Sequence, residues 1–139
     1  MKKVFLFMGL LGLITSCSVD DDNRQQFRYE VVPVEDVTLP DSLVLGQTYE
    51  IPVSFVKPTA CYYFEGFDYQ RQDSTRYVAV VNRVLDDTAC ADTDVTTDPT
   101  EEILDFEVLY TYDYVFKFYQ GNDSNDEPIY LTKVVPVKH

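Results

Sequence analysis

The 139-residue chain has no tryptophan, one histidine and five glycines. Each scarcity removes a class of chemistry. The histidine is His139, the final residue, where chain ends usually fray. A serine or cysteine nucleophile therefore has no imidazole base inside a fold. Gly9 and Gly12 lie in the first 16 residues, and the other three glycines are too scattered to form a loop that cradles phosphate. Bases number 11 against 24 acids, a formal net charge of −13. That balance lacks the basic footprint nucleic acid requires and opposes anionic lipid headgroups. No apolar run reaches the roughly 20 residues of a membrane-spanning helix. Cysteines never occur in CxxC spacing or beside a histidine, so a thiolate metal site lacks ligands. Carboxylates are so abundant that chance pairs are unavoidable, and none stands out for acid–base work. No cofactor is expected, and the chain reads as a non-enzyme.

What is present starts at the amino terminus. Lys2 and Lys3 precede an apolar or small run from Val4 to Ile14, followed by Thr15, Ser16 and Cys17. A basic start, a short oily centre and small residues at the exit describe a secretory signal. The stretch "LITSC" resembles the lipobox of bacterial lipoproteins. That resemblance implies cleavage before Cys17, a diacylglycerol on its thiol and acylation of the new amine. Burying each methylene gains about 0.8 kcal/mol, so two or three chains on one residue hold a protein firmly. The following "SVDDDN" resembles the acidic export signal of Bacteroidota lipoproteins, with Val19 interrupting the usual Ser-acid run. It implies transport to the outer membrane and exposure at the cell surface. The expected organisation is a signal over 1–16, an acylated acidic tether over 17–27 and one folded domain over 28–139. Losing Lys2 and Lys3 with the signal would take the net charge from −13 to about −15, a value that favours solubility.

With Cys17 assigned to lipid, Cys61 and Cys90 remain, in a compartment where disulfides persist. One bridge between them is expected, worth roughly 3–4 kcal/mol in the chain-entropy model.

From Tyr29 onward the apolar residues recur every second position, the period of strands. In "TYEIPVSFV", Tyr49, Ile51, Val53 and Phe55 share a face. In "YDYVFKFY", Tyr112, Tyr114, Phe116 and Phe118 do the same. Further strands are predicted over 29–37, 61–70, 75–85, 103–109 and 129–137, with a short one near 43–45. Turn chemistry separates them at Lys57-Pro58-Thr59, Gln72-Asp73-Ser74 and "GNDSNDEP". "DPTEEIL" offers Asp98 as a cap and Pro99 as a first helical residue, predicting one helical turn. Pro52 suggests an edge strand or a bulge. Seven or eight short strands predict an all-β fold, a two-sheet sandwich resembling immunoglobulin-like and fibronectin-type-III-like modules in pattern only. A small closed meander barrel is the alternative. The cysteine spacing places the bridge at the base of a hairpin centred near residue 72, holding the acidic loop 86–102 there instead of joining two sheets.

"CYYFEGFDYQ" concentrates rings on both faces of one strand. Tyr63, Phe67 and Tyr69 are the candidate binding residues, if they share an exposed face where rings could stack on sugars or anchor a protein. Coverage of both faces by the fold explains the same residues. No metal site is assigned. Calcium candidates are Asp92, Asp94 and Asp98, together with the turn Asn122, Asp123, Asn125, Asp126 and Glu127, and ordinary solvated turns account for both. The expected function is a membrane-anchored, non-enzymatic module that binds a glycan or an envelope protein. The alternatives are an accessory subunit of an envelope assembly and a protease inhibitor presenting loop 86–102.

Overall fold

A computed structural model describes residues 25–87, 90 and 97–139. The signal, Cys17, most of the tether, and Asp92 and Asp94 lie outside these residues. The chain forms β1 (Phe27–Val32), β2 (Val34–Val37), β3 (Leu43–Val44), β4 (Thr48–Phe55), β5 (Tyr62–Gln72), β6 (Thr75–Leu85), β7 (Thr100–Glu107), β8 (Tyr114–Asn122), β9 (Pro128–Val135) and β10 (Val137–Lys138). Eight of these have four or more residues. The first begins at Phe27, already inside the segment expected to be tether.

β5, β6, β1, β8 and β9 make one sheet, and β2, β4 and β7 make a second. The two-residue strands β3 and β10 pair separately in parallel. No sheet closes on itself, so the architecture is an all-β sandwich and the barrel alternative is set aside. Ile51, Val53 and Phe55 of β4 and Phe116 and Phe118 of β8 are all fully buried. Phe106 of β7 lies edge-on to both Tyr114 and Phe116, with centroids 5.0 Å away, and so ties the second sheet to the first. The Tyr114 hydroxyl accepts hydrogen bonds from the backbone N–H of Leu109 at 3.2 Å and Tyr110 at 3.0 Å. A tyrosine holding the corner by which the chain changes sheets is a device of immunoglobulin-like sandwiches.

Two prolines explain local departures. Pro33 divides the strand expected over 29–37 and marks the step from one sheet to the other. Pro52 sits within the central strand β4, yet costs little there. Its carbonyl accepts from Thr38 N–H at 3.1 Å. Because N–H and C=O of a strand residue point the same way, its missing donor faces the end of β2 and leaves the β7 ladder complete. The helical turn expected at 98–104 does not form. Thr100 to Glu107 pair residue by residue with Phe55 to Thr48, and cross-sheet pairing outweighs the local capping signal. Asp98 is exposed just before that strand.

The β5–β6 hairpin turns at Asp73, with φ of 53°, and the β8–β9 hairpin at Asp126, with φ of 63°. Aspartate tolerates the left-handed region better than most residues. The disulfide Cys61–Cys90 has its Cα atoms 5.3 Å apart. It joins the start of β5 to the segment after β6, at the base of the hairpin, where the spacing of the cysteines places it. Within the core, Asn82 is fully buried and its amide has no hydrogen-bond partner among the described residues. Such a group costs about 1–3 kcal/mol.

Candidate functional site

A bulge at β5 decides where the aromatic strand points. Phe64 pairs with Asn82, but Gly66 pairs with Val81, so Glu65 is an extra residue. One inserted residue reverses which face each later side chain occupies. Tyr63, opposite Arg83, stays on the outer face and is 46% exposed. Phe67, opposite buried Val80, turns inward and packs on the core with its centroid 5.1 Å from that of Phe64. Tyr69, opposite buried Val78, is also on the inner side, near the hairpin end, although 42% exposed. The three candidate residues therefore do not form one surface. Reading the strand without its bulge put them together.

The outer face of the same sheet carries a different set of rings. On β1, Phe27, Tyr29 and Val31 are exposed, with the Arg83 guanidinium 5.7 Å from the centre of the Phe27 ring. Further along, β1 leaves the sheet after Val32 pairs with Val80, and β8 takes its place beside β6 from Val78 back to Thr75. Ala79 lies at the junction and contributes only a methyl group. A groove of about 720 Å³ lies there, lined by Val31, Asp68, Gln70, Tyr77, Tyr119 and Tyr130. That volume lies within the ~300–1,000 Å³ of ligand pockets.

The rings are ordered by one another. Tyr130 meets Tyr77 edge-on at 5.4 Å and Tyr119 at 6.3 Å. The Lys117 ammonium lies 5.7 Å from the Tyr77 centroid and 5.9 Å from that of Tyr130. On the opposite wall the Gln70 amide donates to Asp68 at 3.4 Å. The arrangement offers aromatic faces on one side and amide and carboxylate groups on the other. That combination suits a ligand with both C–H faces and hydroxyl groups. Sequence reasoning missed these tyrosines because they occupy the solvent-facing phase of β6, β8 and β9, where polar residues were expected. Their recurrence on three strands was the available signal.

Other candidates are placed less productively. In the 121–128 turn, the Asp123 carboxylate accepts from the N–H of Asn125 at 2.8 Å and Glu127 at 3.1 Å. Asn122 donates to Asp126 at 2.8 Å. These oxygens stabilise the turn itself. Among the described residues, no three His, Cys, Asp or Glu side chains are grouped to hold a metal. Burial raises the pKa of Tyr62, reinforced by its hydrogen bond to Glu30 at 3.1 Å. Comparison with protein-family models, with curated proteins and with solved structures finds no match to this chain.

Proposed function

We propose that this chain is a lipid-anchored envelope protein that binds a glycan, non-enzymatically, in the groove of Tyr77, Tyr119 and Tyr130. The single observation carrying the reading is a concave site with three mutually oriented tyrosines facing Asp68 and Gln70. Sugar rings present apolar faces that lie against aromatic rings, while their hydroxyls need donors and acceptors at the edge.

The anchor and the groove are compatible in space. The expected tether enters at Phe27, which pairs with Leu85 at one end of β6. Strand β6 has 11 residues, or about 35 Å at strand rise. The groove lies toward its other end, away from the membrane that Cys17 would engage. Mass spectrometry of the native amino terminus tests this part: an acylated Cys17 is expected, and an unmodified chain starting at Met1 would remove the anchor.

Binding is tested on a glycan array with the full-length chain. Replacing Tyr119 and Tyr130 together with serine should weaken the best ligand by at least about fivefold, the loss of two stacking contacts of ~0.5–1.5 kcal/mol each. The melting temperature should change little, since both rings are on the outer face. Loss of binding in Tyr63→Ser with the groove pair unaffected would move the site to the other end of the sheet. The exposed Phe27, Tyr29 and Val31 favour a second reading, an accessory subunit docking through that end onto an envelope protein.

A further inference from the structure

Arg71 and Arg76 lie directly opposite each other in the β5–β6 ladder. Like charges at such a pair are destabilising. Arg76 is only 2% exposed. Its guanidinium donates to the carbonyls of Asp73 at 2.8 Å and Thr75 at 3.0 Å, and to the Tyr112 hydroxyl at 2.8 Å. Its central carbon lies 4.9 Å from the centre of the Tyr114 ring. Arg71 donates to the Tyr110 hydroxyl at 2.9 Å. Arg28 pairs with Glu30 and Asp86, whereas neither Arg71 nor Arg76 is in ion-pair contact with a carboxylate among the described residues. A chain with 24 acids and 11 bases thus holds two facing arginines with no carboxylate of the described residues in ion-pair contact.

A buried cation ordinarily keeps a counter-charge. Beside these arginines is a cavity of about 210 Å³ lined by Tyr69, Arg71, Arg76, Glu107, Tyr110 and Tyr114. Burial raises the pKa of Tyr69 against the opposite pull of Arg76, so at neutral pH its hydroxyl remains a donor. Arg71 lines both this cavity and the tyrosine groove. The groove tyrosines are on the outer face of the sheet and Arg76 on the inner one, so a ligand reaching both would pass round β5, the edge strand, at Arg71.

We propose that the Arg71–Arg76 cavity receives the carboxylate of an acidic sugar residue, a uronic acid, belonging to a glycan held in the groove. The inference rests on the glycan reading above and names the ligand's class. Guanidinium groups match carboxylates in fork geometry. The exposed Glu107, which also lines the cavity, favours a singly charged group over a phosphate dianion. The net negative charge opposes approach from afar, but screening confines that opposition to about 8 Å at physiological salt.

The test is calorimetry of the full-length chain with trigalacturonic acid and with its methyl ester, which keeps the rings and removes the charge. The acid should bind at least about tenfold more tightly, as expected for charge-assisted contacts. Arg71→Gln, at a largely exposed position, should reduce the acid-to-ester ratio to within about twofold. Arg76→Gln should do likewise if it folds, as judged by its thermal melt. Equal binding of acid and ester would overturn the carboxylate site and leave the groove reading standing. Competition by inorganic phosphate at the trimer's own concentration would overturn the sugar assignment. Binding of neither trimer would overturn this inference, while the Tyr119 and Tyr130 variants judge the groove independently.

Discussion

Phe116→Ala should destabilise the domain by about 3–5 kcal/mol, the usual cost of removing a buried aromatic ring. Phe116 is fully buried on β8, which pairs with β6 on one side and β9 on the other. Its ring touches three others: Phe106 at 5.0 Å, and Tyr114 and Phe118 both at 6.1 Å. Two of these are neighbours on the same face of β8, and in the connection before that strand Tyr110 and Tyr112 stack with planes 9° apart. The third belongs to the facing sheet. Truncation would leave a cavity where the sheets meet, and surrounding strands fixed by hydrogen bonds could collapse into it only partly. Since small domains are stable by about 5–15 kcal/mol, much of the reserve would be gone. Urea unfolding measures the effect, with Val134→Ala as the control. Val134 is 62% exposed, and its loss should change stability by no more than about 0.5 kcal/mol. A cost below about 1 kcal/mol for Phe116→Ala would mean that the sandwich does not pack through this ring.

Removing the Cys61–Cys90 bridge should cost about 3–4 kcal/mol. The cysteines are 29 residues apart in sequence, and opening that loop restores conformational freedom mainly to the unfolded chain. The native contacts at the hairpin base change less. Leu85 N–H still bonds to the Cys61 carbonyl at 3.1 Å, and β5 keeps its long ladder with β6. The double variant Cys61→Ala, Cys90→Ala should therefore fold but melt well below the parent. At about 4–8 °C per kcal/mol for a domain near this size, a fall of more than about 10 °C is expected. Comparing melts with and without reductant provides the same measurement on the parent chain. Identical melting under both conditions would show that the bridge contributes nothing to stability.

The strands were legible where one face is buried and the other wet. Alternation in Tyr49 to Phe55 and in Tyr114 to Phe118 survives as β4 and β8, with Tyr112 left in the bend before β8, and the prediction for 75–85 coincides with β6. The disulfide followed from cysteine arithmetic and the position of one hairpin. Misreadings occurred where a distant partner outweighed a local signal. "DPTEEIL" has the capping chemistry of a helix, but β4 offers eight paired residues to Thr100–Glu107. The aromatic strand misled for a smaller reason. Glu65 is a single extra residue in β5, and a bulge leaves no mark in composition or period until its partner strand is known.

The candidate site was less visible still. Tyr77, Tyr119 and Tyr130 are separated by up to 53 positions in sequence and meet because β6 and β8 run parallel, an arrangement that no local turn dictates. The facing of Arg71 and Arg76 is different in kind. It follows directly from a two-residue turn at Asp73 and Ser74, and could be drawn from the sequence once that turn was located.

Local chemistry by itself determined that this chain makes strands, where most of them turn and which cysteines are available to bridge, because side-chain period and turn preference act over a few residues. Tertiary structure alone decided which sheet each strand joins, which way the rings after Glu65 face, and that three distant tyrosines border one groove. Those outcomes depend on the ladder each strand finds in space, and pairing energy is shared between segments that carry no record of one another in their own sequence.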